Sequence, residues 1–286
     1  MKHYLYLFIS TLVLASSCKK NENDYGDTGL LTTNPVPIPI PALKSFDDTV
    51  RVFLKDIQKS NLPSPYYHFE YDNKYARQIN FASGFSQYVL EYQNKRLIKM
   101  LNSVFGDRIL YTYNNNRVSL ITEFSGITGF KHWEYYFGYN NRNQLAEVRW
   151  IRYDNNGSSH VYYRKAVLSY HPDGNLAGIE NWMTNPNGQF AWTKTVRYED
   201  YDNTVNVDSF GHLKEFFETL LYLPAVQLQK NNHHTEVITT PQNDFRVTYT
   251  YLYNNGLPVK QTGIVVQTRG TGNPQPVTIE TRYSYY

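Results

Sequence analysis

Tyr249-Thr250-Tyr251-Leu252-Tyr253-Asn254-Asn255-Gly256-Leu257-Pro258 is the stretch that decides the fold. Its tyrosines fall at every second position, the period of a β-strand whose alternate side chains share a face. Asn254-Asn255-Gly256 follows, and Asn and Gly accept the φ > 0 geometry of a tight hairpin turn. Leu257 and Val259 then begin a returning strand. The same unit recurs along the chain: a tyrosine, a turn rich in Asn, Asp or Gly, and returning aliphatic residues. Tyr71 leads into Asp72-Asn73 and returns at Ile79 and Phe81. Tyr92 leads into Gln93-Asn94 and Leu97, Tyr113 into Asn114-Asn115-Asn116 and Val118, and Tyr139 into Asn140-Asn141 and Leu145. Tyr170 leads into His171-Pro172-Asp173-Gly174 and Leu176, and Tyr201 into Asp202-Asn203 and Val205.

The first intervals are 92 − 71 = 21 and 113 − 92 = 21 residues, and later ones lengthen to 26 and 31. Asn155-Asn156-Gly157 and Asn187-Gly188 supply turns at the opposite ends of neighbouring hairpins. The pattern predicts an all-β chain: an antiparallel up-and-down meander of about 12–16 strands, closing into a barrel or a strongly curled sheet. The composition agrees. There are 27 Tyr against 15 Phe and 4 Trp, and tyrosine combines a liking for strands with a hydroxyl that tolerates water.

Two helices are predicted to break the meander. Phe46, Val50, Phe53 and Ile57 fall at helical spacing behind Ser45-x-x-Asp48, a variant of the capping box, so 45–58 reads as a short N-terminal helix ended by Pro63 and Pro65. Ser209 can cap a helix over 209–223 whose Phe210, Leu213, Phe216, Phe217, Leu220 and Leu221 form one apolar face. Such a face demands burial, on the concave side of the sheet or plugging its end. A loop is expected from Pro224 to about Asp244, followed by strands through Tyr286.

Residues 45–286 therefore read as a single domain, and what precedes them as address and spacer. A charged start, an apolar run over Tyr4–Leu14 and the small residues Ala15, Ser16 and Ser17 describe a secretory signal over 1–17. Residues 18–44 read as a tether: a polar stretch, then Pro35-Val36-Pro37-Ile38-Pro39-Ile40-Pro41, a composition that favours extended polyproline II. Cys18 is the only cysteine, so a disulfide within the chain is excluded. Beyond the signal no apolar run approaches the roughly 20 residues of a spanning helix. The net charge of +3 lacks the clustered basic face that nucleic-acid binding needs.

Small residues followed at once by Cys18 resemble a bacterial lipobox. That resemblance implies that Cys18 becomes the lipidated first residue of a mature, palmitate-bearing outer-membrane lipoprotein, periplasmic or surface-facing, with the membrane as its first partner. Acidic Glu22 and Asp24 resemble surface-export tags. The tyrosine hairpin units resemble YD repeats of Rhs-like proteins. Together with Leu223-Pro224-Ala225 and the 249–258 stretch, they resemble a family of bacterial lipoproteins carrying a domain of unknown function with a porin-like fold. The resemblance covers about residues 65–286. It implies an up-and-down barrel and carries over neither activity nor catalytic residues.

No phosphate loop, Gly-x-Ser-x-Gly elbow or cofactor motif is present. His233-His234 lacks metal-ligand spacing, and neighbouring strand residues face opposite ways, so no metal site is expected there. Glu70 and Glu91 each precede a repeat tyrosine and are expected on neighbouring strands; a glycosidase would need such a pair about 5–10 Å apart in a cleft. The aromatic surplus is the remaining chemical signal. Trp133, Trp150, Trp182 and Trp192 are candidate ligand-binding residues for sugar rings or apolar peptide, with burial in the sheet as the alternative. Even spacing places Trp133 on the face of Tyr139, and Trp192 on that of Tyr198. The leading reading is a lipid-anchored, non-enzymatic envelope protein that binds a glycan or an envelope protein. The alternatives are a glycan-acting enzyme or accessory, and an outer-membrane pore.

Overall fold

The computed structural model describes residues 53–208, 222–223, 226–272 and 274–286. Sixteen strands account for nearly all of them. In chain order they are β1 Leu54–Lys59, β2 Tyr67–Asp72, β3 Tyr75–Phe81, β4 Ser86–Gln93, β5 Arg96–Asn102, β6 Arg108–Asn114, β7 Arg117–Phe124 and β8 Lys131–Tyr139. The second half comprises β9 Leu145–Asp154, β10 Ser159–Tyr170, β11 Leu176–Thr184, β12 Phe190–Val205, β13 Asn231–Thr239, β14 Asp244–Asn254, β15 Leu257–Arg269 and β16 Val277–Tyr285. Each strand pairs antiparallel with the next, and β16 closes onto β1 through pairs such as Ile57 with Tyr283. The predicted meander is a closed barrel, which leaves no strand edge unpaired.

The turn chemistry is as the sequence implied. Asn94-Lys95, Asn115-Asn116 and Asn255-Gly256 have positive φ at both central residues, the geometry that matches the twist of the flanking strands. Inward side chains are covered: Ile57, Ile79, Leu97, Met100, Ile109 and Ile121 are fully buried, as is Tyr67. Each such aliphatic or aromatic group contributes roughly 1.5–3 kcal/mol of burial.

The bulged hairpins explain why five of the seven repeat residues, Tyr71, Tyr113, Tyr139, Tyr170 and Tyr201, are tyrosine. Tyr92 pairs with Leu97 but Glu91 pairs with Lys99, so Ile98 is an extra residue. The same shift occurs beside Tyr71, Tyr113, Tyr139, Tyr170 and Tyr253. Past the bulge the ladder to the next hairpin stops. Between β5 and β6 it runs only as far as Lys99–Leu110, which leaves the Leu97 carbonyl facing inward without a strand partner. A buried carbonyl needs a donor, and the hydroxyl of Tyr113, the next repeat tyrosine, donates to it at 2.8 Å. Tyr139 does this for Val118, Tyr170 for Leu145 and Tyr201 for Leu176. Tyr71 serves Leu54, Tyr251 serves His233 and Tyr285 serves Pro258. Thus at seven junctions among the described residues a tyrosine latches one hairpin to the one before it, at 2.5–3.0 Å. Burial pushes the Tyr139 phenol up to about 12, although the Arg117 guanidinium works the other way. Burial pushes Tyr170, Tyr201 and Tyr251 higher still.

Two expectations about local structure change. The helix expected over 45–58 lies mostly outside the described residues, and its described end belongs to strand β1. A register shift between Leu54 and Asp56 turns both Leu54 and Ile57 inward. The Phe53–Ile57 interval of four that suggested a helix is also an even interval, which a strand of period two allows. The loop expected from Pro224 to Asp244 contains β13. Its strand period was hidden because polar residues face inward: His233 and Glu236 are both buried. The apolar helix expected over 209–223 lies outside the described residues except for its last two. There the Tyr222 carbonyl accepts from Tyr111 inside the barrel at 2.8 Å, and Leu223 is buried.

Candidate functional site

Strands β8 to β12 hold all four tryptophans, and the pleat sorts them into two pairs. Trp133 and Trp150 point inward with Tyr135, Phe137 and Val148, and are 5% and 3% exposed. Trp133 meets Tyr163 edge to face at 5.2 Å, and the Arg164 guanidinium lies 5.3 Å from the Trp150 ring. Tyr135 donates to the buried Glu123 carboxylate at 2.9 Å, and Arg164 to Asn181 at 2.8 Å. These two tryptophans are therefore wall residues of the interior, held by cation–π and edge contacts.

Trp182 and Trp192 face outward. Ile179 and Asn181 are buried, so the next residue, Trp182, projects from the other face. Trp182 pairs directly with Trp192 across a register shift in which Thr193 is the extra residue. That bulge moves Trp192 off the face of Tyr198. The even spacing of the two residues in sequence had placed them together, and a single inserted residue reverses the assignment. Trp133 and Tyr139 do share the inner face.

Register then extends the outer pair into a row. Tyr136 pairs with Arg149, Arg149 with Lys165, Lys165 with Trp182, and Trp182 with Trp192. Five neighbouring strands thus present aromatic, basic, basic, aromatic and aromatic side chains in line over roughly 19 Å, given the usual strand spacing. The Lys165 ammonium lies 5.4 Å from the Trp182 ring and 5.3 Å from that of Phe190. The Trp192 ring nitrogen donates to Thr195 Oγ1 at 2.8 Å, which fixes the ring. Arg149 pairs with Glu147. Tyr136 is 40% exposed. Beside the row, Glu134 accepts from Lys131, Tyr136 and Tyr153. Burial works to raise its pKa, but the donors from Tyr153, Lys131 and Tyr136 prevail and hold the carboxyl below its usual range. It is a fixed anion that orients two phenols. The tryptophans were visible in the sequence; Tyr136, Arg149 and Lys165 were not, because only register places them in line.

The other candidate groups are occupied elsewhere. Glu70 lies on β2 and Glu91 on β4, with β3 between them, so the expectation of neighbouring strands fails: β3 carries no residue of that pair. Glu70 engages Arg77 and Glu91 engages Lys99. His233 is buried with Nδ1 3.0 Å from Gln229, whereas His234 approaches Asp202 and meets the Tyr251 ring edge to face. A serine, an aspartate and a histidine meet at Ser284, Asp56 and His68, but both Ser284 and His68 bond to the carboxylate between them. Ser284 therefore gives its proton to Asp56 and not to an imidazole, the wrong order for nucleophilic catalysis. Among the described residues no three His, Cys, Asp or Glu side chains converge to hold a metal ion.

Comparison with known proteins returns the same architecture. A porin-like protein from Bacteroides vulgatus superposes with a TM-score of 0.55 at 12% identity, over 82% of this chain and 99% of that one. A porin-like protein from Bacteroides uniformis superposes with a TM-score of 0.50 at 15% identity, over 77% of this chain and 89% of that one. At these identities the likeness establishes a shared porin-like fold. No protein-family model matches the chain, and no curated protein matches it.

Proposed function

We propose that this chain is a non-enzymatic binding module of the bacterial cell envelope, and that the row Tyr136–Arg149–Lys165–Trp182–Trp192 takes an anionic glycan. The observation that carries the reading is the row itself. Flat rings spaced along a rigid sheet stack on the apolar faces of sugar rings. Lys165 between the rings supplies attraction for a carboxylate or sulfate on the glycan, whereas Arg149 is already paired with Glu147. The length of the row suits a short oligosaccharide, and no element has to move to form it.

The barrel belongs in water on this reading. Its interior is packed with aliphatic and aromatic residues, while its outer face carries ion pairs in mid-strand, such as Lys99–Glu91 and Lys260–Glu280–Arg282. A barrel crossing a bilayer shows lipid an unbroken apolar band and keeps its polar groups inside. Those ion pairs favour water over lipid at the outer face.

A glycan array probed with the full chain tests the binding reading. Anionic glycans are expected to bind, and Trp182→Ala or Trp192→Ala to weaken binding about tenfold each, as the loss of one aromatic contact of ~1.4 kcal/mol implies. Lys165→Ala is expected to remove the preference for charged over neutral glycans. An array with no bound glycan, or variants that bind as the parent does, overturns the proposal.

Attachment through a lipid on Cys18 is the second part of the reading, supported by the sequence around it. Cys18→Ser is expected to block lipidation and cleavage, so that the chain accumulates as a larger, unlipidated precursor. Unchanged fractionation at unchanged size contradicts it.

A further inference from the structure

The two ends of the barrel differ in a way that neither the row nor the anchor uses. At one end lie the turns that follow the tyrosines, and they carry charge: Lys74, Lys95, Arg142 and Asp173. At the other end lie the eight turns over 60–66, 82–85, 103–107, 125–130, 155–158, 185–189, 240–243 and 270–276. These eight turns contain a single charged residue, Asp107, and its carboxylate is occupied by the backbone N–H of Gly126 at 2.8 Å.

Successive turns on this neutral rim also display large apolar side chains. Ile127 is 89% exposed, Phe85 64% and Val104 52%. Phe105 and Phe130 stand beside them, and Phe85 meets Phe105 at 5.5 Å between ring centroids. Isolated exposed apolar residues are ordinary, but a contiguous set marks a contact surface. The set is also held in place. Ser103 N–H donates to the Gln87 carbonyl at 2.8 Å, tying the third of these turns to strand β4. The third and fourth touch backbone to backbone: a Cβ at Gly126 would lie 2.0 Å from the Phe105 carbonyl oxygen. The turns that carry the apolar tips are therefore braced through their backbones.

We propose that this rim docks onto a lipid surface. The tips are convex projections on turns, a shape that enters a bilayer interface. The three turns that bear the apolar tips carry no charged residue but Asp107, which suits the same environment, where a buried charge is costly. Chain length permits it. The chain enters the barrel at Phe53, at the charged end, but 53 − 18 = 35 residues separate Cys18 from Phe53. Extended at about 3.1 Å per residue they reach roughly 110 Å, several times the roughly 30 Å length of a nine-residue strand. A lipid on Cys18 thus leaves the rim free to meet the same bilayer, and the rim's docking does not depend on that lipid.

The experiment places a fluorescent reporter at each end of the full chain. Ile127→Trp and Phe85→Trp mark the rim, and Asn141→Trp, at an exposed turn position, marks the charged end. Each variant is mixed with phosphatidylcholine vesicles brominated along the acyl chains, and its emission is compared with that of the parent. The emission added at the rim is expected to shift to shorter wavelength and to be quenched about twofold or more relative to that added at Asn141, since interfacial residues sit ~5–10 Å into the headgroup and acyl boundary. Equal quenching at both ends, or none at the rim, overturns the proposal. A blue shift at the rim that grows with protein concentration without vesicles also overturns it, because a second copy of the chain is then the occupant. The glycan and Cys18 experiments read different residues, so each reading fails separately.

Discussion

Replacing three successive latch tyrosines together, Tyr139→Phe, Tyr170→Phe and Tyr201→Phe, is expected to remove most of the stability of the barrel. Each substitution keeps the ring and deletes one hydroxyl. The carbonyls of Val118, Leu145 and Leu176 then lose their donors, in the bulged corners where the strand ladder has already stopped. A buried acceptor left without a donor costs about 1–3 kcal/mol, so three cost roughly 3–9 kcal/mol, against a usual total of about 5–15 kcal/mol. Urea titration should show a lower midpoint with an unchanged slope. Tyr162→Phe, at a tyrosine that is 46% exposed, should lie within about 0.5 kcal/mol of the parent.

Alkali attacks the same bonds from the solvent side. Tyr71, Tyr139, Tyr170, Tyr201, Tyr251 and Tyr285 all have phenols raised above the usual 10.0, with burial the largest cause in each, and Tyr139 reaches about 12. The sign follows from proton counting. A group whose folded pKa is raised keeps its proton in the fold and loses it in the unfolded chain, so its stabilisation is complete below pH 10 and is lost as pH rises through the folded value. Each such tyrosine subtracts about 1.4 kcal/mol per pH unit above 10. Six together subtract roughly 8 kcal/mol per unit, enough to unfold a domain of ordinary stability between about pH 11 and 12.

Much of this architecture is legible in the sequence because hairpin turns are local. Asn94-Lys95 and Asn255-Gly256 state their backbone geometry through their own side chains, and Tyr67, Phe69 and Tyr71 state a strand period without reference to anything distant. What could not be read depends on register. Thr193 is one extra residue, and it decides whether Trp192 faces the solvent or the core. The Phe53 to Ile57 interval of four fits a helix and a strand alike. Strand β13 was missed because His233 and Glu236 take inward places that aliphatic residues usually fill. The tyrosine surplus was plain, and its cause was not. The acceptor for Tyr170 is a carbonyl 25 residues earlier, found only after the ladder between β9 and β10 is known to stop short of it.

The glycan row has the same history. Two tryptophans pointed to it, and pairing across five strands assembled it from residues as far apart as Tyr136 and Trp192. The neutral rim became visible only once topology assigned each turn to an end. In both cases the sequence holds the chemistry and the barrel supplies the juxtaposition.

The measurement that bears most directly on the latched barrel is an alkaline titration of the full chain, followed at once by phenolate absorbance and far-ultraviolet circular dichroism. Exposed tyrosines should ionise near pH 10 with the strand signal intact. The remaining phenolates should then appear in one steep step that coincides with loss of that signal. A single smooth phenolate curve centred near pH 10, with the strand spectrum unchanged beyond it, would show that these hydroxyls are open to water and hold no hairpin to its neighbour.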